Sequence, residues 1–411
     1  MSKQNTTVFR QGVFDSTFPK LLLRNYRQWG DKRLAIRKKE RGIWKTFTWA
    51  DCFEEVKSAF QGLLALGLAP EDRVAILGDS SPEWFWSELA VQAAQGTVVA
   101  LNPASSPEKI QQVLELAHPR FVIAQDQEQV DKLLETPFAQ SLEKIVYWRE
   151  KGLNKYDQPN LVSFRQLIEQ REANLASDSK QFQENLVFGE GSEVAIILYA
   201  ASESDSPIEI QATHNLLLSS AEAVLAMDGF HENHEYMSVM SPGWFFEQVI
   251  GFGICLLAGR RINFAEDVGT AQTDFREISP HVVVYPAHLW EILADSIKQN
   301  LAASGSVKRG SINGLLRLGY AVERIQAAGK NPNIVLKMLY RMADLIGFRA
   351  LRDKHGLDRV KVAYSAGGTL SPETLQLFSV IGISIKQIYG SIENGIVPVD
   401  PGENRIERQY G

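Results

Sequence analysis

Apolar residues recur along this chain in two rhythms. Phe18, Leu21, Leu22, Tyr26 and Trp29 follow helical spacing and stop at Gly30, so the stretch after Thr17 reads as a helix. Leu34–Arg37 and Ile43–Trp49 alternate at period two around Gly42, which predicts a hairpin. Thr48 then caps a helix to about Leu66, ended by Gly67. Beyond it, Arg73–Gly78, Gly96–Leu101, Arg120–Ala124 and Lys144–Trp148 read as buried strands, with Pro82 and Pro107 opening the helices between them. A polar, irregular connection is expected over 151–190. A second strand series runs through Glu193–Tyr199, Tyr236–Met240, Arg261–Phe264, His281–Pro286, Arg359–Tyr364 and Ile383–Tyr389. Residues 300–356 interrupt it as a helical excursion, with Leu336, Leu339, Tyr340, Leu345 and Phe348 as packing positions. The rhythm predicts an α/β protein with two doubly wound sheets flanked by helices. The expected division is a first α/β subdomain over 1–190, including the connection, and a second over 191–411.

Composition narrows the function classes. The 411 residues are 45% hydrophobic and 22% charged, with a net charge of −6. No basic run of useful length is present, so nucleic acid is not an expected partner. The short cluster Arg37-Lys38-Lys39-Glu40-Arg41 reads as a solvated hairpin tip. Cys52 and Cys255 lie in apolar surroundings and read as small buried hydrophobes in a reducing cytoplasm. Met1–Thr7 is polar and unlike a signal peptide. No apolar stretch reaches the ~18–20 residues of a membrane span, so no transmembrane segment and a cytoplasmic location are expected. His231 and His234 sit about one helical turn apart with no third metal ligand in view, which suggests a surface loop.

Several segments follow one another in a telling order. They are Thr48-Trp49, Asp72–Gly78, Ser81-Pro82-Glu83-Trp84, Gln127–Leu133, Pro286–Glu291, Ala363–Gly368 and Tyr389–Glu393. Their order and spacing, from about residue 15 to residue 398, resemble the long-chain fatty acyl-CoA synthetase branch of the adenylate-forming, AMP-binding superfamily. The resemblance implies the fold of that family's N-terminal domain, ATP or AMP with Mg and CoA as cofactors, and a fatty acyl or adenine ligand. In the family, a carboxylate is first adenylated and then passed to a thiol. The mobile C-terminal lid domain with its catalytic lysine is not expected in this chain.

By the same resemblance, Tyr389, Gly390 and Ser391 stand where the family stacks adenine, and Glu393 where it holds Mg. Ile392 replaces a threonine there. Gly367, Gly368 and Thr369 match the backbone that lies against adenine, where glycine permits close approach. Trp244, in Met240–Gln248, takes the place of an aromatic or histidine beside the carboxylate pocket. A strand-end turn, for the first two segments, and core packing, for the third, are the plainer readings. The apolar run Val249–Gly259 reads as a core helix or the lining of an acyl tunnel.

The segment Tyr199–Glu209 departs most from the family. Tyr199 and Pro207 match in register, as do Thr213-His214-Asn215 beyond them. Ala200 and Ala201 replace hydroxyl residues, Ser202 and Asp205 replace glycines, Glu203 and Ser204 replace threonines, and Ile208 replaces the lysine. Glu203, Asp205 and Glu209 put three carboxylates and no cation where phosphates should bind. At an effective dielectric of ~20, like charges at ~4 Å repel by about 4 kcal/mol before screening. The expectation is an impaired or inactive homologue that keeps an acyl or adenine pocket. The alternatives are a scaffold without small ligands, and a weak ligase completed by another polypeptide. A protein partner or homo-oligomer is compatible with each.

Overall fold

The computed structural model describes residues 16–166, 178–200, 206–228, 230, 233–303, 306–391 and 395–397. Its strands are β1 (Leu34–Glu40), β2 (Ile43–Thr48), β3 (Arg73–Leu77), β4 (Thr97–Leu101), β5 (Phe121–Ala124), β6 (Lys144–Tyr147), β7 (Leu161–Ser163), β8 (Val194–Ala200) and β9 (Ile208–Thr213). They continue as β10 (Tyr236–Ser238), β11 (Ile262–Phe264), β12 (Val282–Pro286), β13 (Val362–Ala366) and β14 (Ile385–Ser391). The protein is α/β, with two mixed sheets flanked by helices.

The described residues up to Leu225, with Ser238–Val268, form one compact unit. Its main sheet has the order β7-β6-β5-β3-β4-β8-β9. Every pairing in it is parallel except the last, where β9 runs antiparallel to β8. Strands β3 and β5 are apolar on both faces because helices cover both. On one face, Leu77, Leu101, Val122 and Ile145 pack with Ile110, Leu114, Val130 and Leu133. The same unit holds β2-β1-β11, with β1 antiparallel to β2 and parallel to β11. Ala226–Met237 and Gly269–Ser391 form the second unit, where β10, β12, β13 and β14 pair in parallel.

Local chemistry accounts for the element ends. Thr17 caps the helix Phe18–Trp29 by accepting from Lys20 N at 3.3 Å. Thr48 and Asp51 form a reciprocal capping box on the helix Trp49–Ala65, at 3.1 and 2.7 Å. Arg41 and Gly42 make the β1–β2 turn, both with positive φ. In the second unit, Trp290 is fully buried and donates to the carbonyl of Tyr364 at 3.0 Å. Cys52 and Cys255 are buried, as expected.

Three readings need correction. Residues 151–190 are not all irregular: β7 pairs with β6, and a helix spans Asp178–Val187. That helix is held by only two fully buried apolar residues, Phe182 and Leu186, too few for a periodic signal; Phe182 packs on Phe53 and Phe60 with ring centroids 5.1 Å apart in each pair. The basic hairpin is not simply solvated either. Arg37 Nε donates to Asn263 at 2.6 Å, Lys38 Nζ to the Ala265 carbonyl at 2.6 Å, and Glu266 accepts from the Arg41 and Gly42 amides. Lys38 and Lys39 are buried. In the helical excursion, Tyr340 and Phe348 pack inward, but Leu339 and Leu345 are 46% and 68% exposed. Of the two histidines in the 231–234 stretch, His231 lies outside the described residues, and His234 stacks on His281 at 5.1 Å.

His214, at the start of the helix that follows β9, accepts from Phe18 N at 3.3 Å and is buried. Burial pushes its pKa down to about 3, so the folded ring is neutral. The unfolded ring takes a proton near its ordinary 6.5. The contribution of the neutral ring is therefore complete above about pH 6.5 and is lost as the pH falls toward 3, at roughly 1.4 kcal/mol per unit. Urea unfolding across pH 4–7 should show His214→Asn less stable at neutral pH than the parent but flatter in its pH dependence, by about one proton.

Candidate functional site

The ends of β8 and β9 carry the most unusual chemistry of the first unit. The antiparallel pairing sets Tyr199 opposite Glu209 and Ala200 opposite Ile208. The Tyr199 hydroxyl donates to Glu209 Oε2 at 3.0 Å, Gln211 Nε2 donates to Oε1 at 2.9 Å, and Arg73 Nη1 of β3 lies 3.4 Å from Oε2. Arg73 also donates to the Ala117 carbonyl at 3.2 Å. Burial raises the pKa of the Glu209 carboxyl. Hydrogen bonds from Gln211 and Tyr199 and the charge of Arg73 outweigh that, so the pKa falls below the ordinary range. Burial and Glu209 push the Tyr199 phenol well up, which keeps its proton available for donation. Ile208, at the position of the family's lysine, is 53% exposed.

This corrects the charge count made from sequence. Glu209 is not a free anion in a phosphate-facing loop; it is a strand residue neutralised by an arginine that precedes it by 136 residues. Ser202, Glu203, Ser204 and Asp205 lie outside the described residues, as does Glu393.

A cavity of about 380 Å³ opens beside this pair. Tyr199, Ala200, Ser206 and Pro207 form one wall, and Asn102, Ser105, Lys109, Ile110 and Val113 another. Ser241, Gly243 and Trp244 complete it. Trp244 is half-buried and lies 5.2 Å from the Phe246 ring, while Phe245 and Phe246 are buried. One aromatic of the cluster thus faces a cavity and two belong to the core. The run after it is a π-helix Glu247–Gly253 continued by Ile254–Ala258, and none of its residues lines the cavity.

Polar residues beneath Trp244 hold its turn. Gln248 Nε2 donates to the Pro242 carbonyl at 2.9 Å and to Glu88 Oε2 at 3.0 Å. Trp84 and Gln92 also donate to Glu88. Glu88 is 1% exposed, and burial raises its pKa to about 7 against these three donors. A second buried carboxylate, Glu247, accepts from Ser238 at 2.5 Å, and Ser238 bonds Ser80. Sequence reasoning did not single out Glu88, Gln248 or Lys109. For Glu88 and Gln248 the only signal is polarity inside otherwise apolar helical runs, which is also what a solvated position shows, and Lys109 sits in a polar first turn like any exposed lysine.

The second unit brings the other candidate segments together. Ala366 pairs with Ile388, so Gly367-Gly368-Thr369 leaves the carboxyl end of β13 while Tyr389 and Gly390 lie in the last residues of the adjacent parallel β14, the edge where α/β sheets take ligands. Gly367 has φ +68, and a side chain there would meet nothing within 4 Å, so conformation rather than space requires glycine. Gly368 is close to Ala287: an added Cβ would lie 3.2 Å from that methyl. Gln387 accepts from Leu370 N at 3.2 Å, and Glu291 accepts from Ser371 N at 2.8 Å and from Thr374. These two side chains fix the loop that carries the glycines. Tyr389 is 38% exposed, and β14 ends at Ser391. Among the described residues, no group of three or more His, Cys, Asp or Glu could hold a metal ion.

Replacing Gln248 by leucine should leave Glu88 buried with one donor fewer and free the Pro242 carbonyl. The expected cost is about 1–3 kcal/mol in urea unfolding, with a red-shifted tryptophan emission as Trp244 loosens. Glu88→Gln should cost less at pH 8 than Gln248→Leu, because it removes the buried charge while its amide oxygen keeps an acceptor for these donors.

The chain matches the model of the AMP-binding enzyme family over residues 22–410. It is 25% identical over 386 residues to the long-chain-fatty-acid–CoA ligase ACSBG2 of Rattus norvegicus, covering 92% of this chain and 56% of that protein. It is 24% identical over 364 residues to the long-chain-fatty-acid–CoA ligase heimdall of Drosophila melanogaster, covering 85% of this chain and 52% of that one. The chain spans about half the length of these curated relatives. Among solved structures, the adenylation domain of a carboxylate reductase from Mycobacterium chelonae superposes with a TM-score of 0.69 at 17% identity, over 96% of this chain and 60% of that one. Acetoacetyl-CoA synthetase from Streptomyces lividans gives 0.62 at 15%, over 92% and 52%. The structural likeness shows a shared fold, and the family match covers nearly the whole chain: this protein belongs to the AMP-binding enzyme family.

Proposed function

We propose that this chain is a ligand-binding member of its family that no longer handles a nucleoside triphosphate. The observation that carries the reading is the Tyr199–Glu209–Arg73 arrangement. Where the family pattern has glycine and lysine, this chain has a carboxylate engaged in holding two strands together and an exposed isoleucine. Neither offers an amide-lined cradle or a cation to a triphosphate, so the described residues fit Mg-ATP poorly.

Other features support retention of a smaller ligand. The cavity at Tyr199 and Trp244 is lined by both apolar and neutral polar residues and carries Lys109. A single cation of this kind suits a carboxylate or a monophosphate better than a triphosphate with its metal. The ligand classes that fit are a fatty acyl carboxylate, with Tyr199 and Trp244 as contacts, and AMP. For AMP, the adenine side would be Gly367, Gly368 and Thr369 with Tyr389, Gly390 and Ser391. By family resemblance alone, Ser202 and Ser204 stand at phosphate-side positions and Glu393 where an active relative holds Mg. CoA transfer has no role in this reading.

Purified chain should catalyse no ATP–pyrophosphate exchange above background with a panel of fatty acids. AMP or a long-chain fatty acid near 100 times its Kd should stabilise the fold by about 2.7 kcal/mol and raise Tm by a few degrees. ATP with Mg should add nothing beyond AMP. Exchange above background would instead support a working ligase, alone or completed by another polypeptide. No shift with any ligand would support a scaffold.

A further inference from the structure

The helical excursion of the second unit presents an apolar face whose residues stay exposed among the described residues. In the helix Ile334–Ala343 and the π-helical turn Asp344–Phe348, Ile334, Val335, Met338, Leu339, Met342, Leu345 and Ile346 are all exposed, from 46% to 76%. Their successive spacings of one or three residues place them on one stripe. The opposite side is anchored. Ala343, Gly347 and Phe348 are buried, Tyr340 donates to the Val380 carbonyl at 3.0 Å, and Arg352 donates to the Ile381 carbonyl at 2.6 Å. Packing therefore holds the apolar stripe outward. A contiguous patch of this kind, rimmed by polar residues, marks an interaction surface.

Charge identifies the occupant. Residues 306–354 contain ten Lys and Arg against three Asp and Glu, in a chain whose net charge is −6. Lys337 and Arg341 are exposed on the same helix, next in sequence to stripe residues, and neither has an ion pair among the described residues. Asp344, the nearest carboxylate in sequence, is engaged by Arg352 at 2.6 Å. A second copy docking through this face would bring like charges together. An anionic lipid surface meets both demands: the apolar side chains enter the acyl boundary while the long cations reach the phosphate level. We propose that the Ile334–Phe348 face docks this protein peripherally on an anionic membrane surface, lying in its plane without crossing it. No helix among the described residues is long and apolar enough to cross a membrane.

Vesicle flotation tests this with the 411-residue chain. It should float with phosphatidylcholine vesicles containing about 30% phosphatidylserine and not with phosphatidylcholine alone, and salt near 1 M should release it. Met342→Ser with Ile346→Ser, and separately Lys337→Glu with Arg341→Glu, should each lower the partition coefficient about tenfold or more without lowering Tm, because these side chains are exposed. Ile346→Cys labelled with an environment-sensitive dye should shift to the blue on phosphatidylserine vesicles; Cys52 and Cys255, being buried, stay unlabelled. Failure of the parent chain to float would overturn the proposal, as would flotation unaffected by both variant pairs. A dimer in light scattering that the serine pair dissociates, with no flotation, would assign the face to a second copy instead. Binding of a soluble acidic protein without lipid binding would assign it to a protein partner.

Discussion

The antiparallel pairing of β8 with β9 is the constraint on which the candidate site depends. Every other pairing in the seven-stranded sheet is parallel, and parallel strands need long crossovers. A single antiparallel strand at the edge lets the chain turn back at once and place Ile208 and Glu209 beside Tyr199 and Ala200. Once those residues are strand, their side chains answer to the sheet. Glu209 then has a phenol, an amide and a guanidinium within reach, and its charge is spent on them.

A second constraint is the polar network under the Trp244 turn. Glu88 and Glu247 are both almost completely buried carboxylates. Such groups are costly unless hydrogen-bonded, and both are. Three donors converge on Glu88, and one of them, Gln248, also grips Pro242. Burial cost and donor geometry pull in opposite directions here, and the result is a carboxyl poised near neutrality. Its consequence for the site is positional: the turn that presents Trp244 to the cavity is anchored in the core.

In the second unit the same logic runs through motifs legible in the sequence. Trp290 and Glu291 belong to a segment recognised by its order in the chain, and the structure supplies their work. Trp290 ties its helix to β13 through the Tyr364 carbonyl, and Glu291 pins the turn after the Gly367-Gly368 pair. Tyr364 and Lys386 both bond Asp228, joining β13 and β14 to the end of a helix. These are framing interactions, and they leave Tyr389 and the glycines in the open at the strand ends.

The sequence by itself determined the α/β alternation, the buried strands β3 to β6, the first helix with its stop at Gly30, the helix capped at Thr48, and the family. The elements rest on local periodicity or local hydrogen bonding, which neighbouring residues specify, and the family rests on the order of short motifs along the chain. The edge strand β9, the short β7 and the Phe182 helix escaped it, because a few residues carry too little period to register. Tertiary structure alone decided the fate of charges and of apolar faces. Arg73 neutralises Glu209 from far away in sequence, and Glu266 and the Ala265 carbonyl satisfy a basic hairpin that reads as solvated. Helical spacing says that residues 334–348 form an apolar stripe, and it reads as packing. Whether another element covers that stripe depends on chain folded elsewhere, and among the described residues none does.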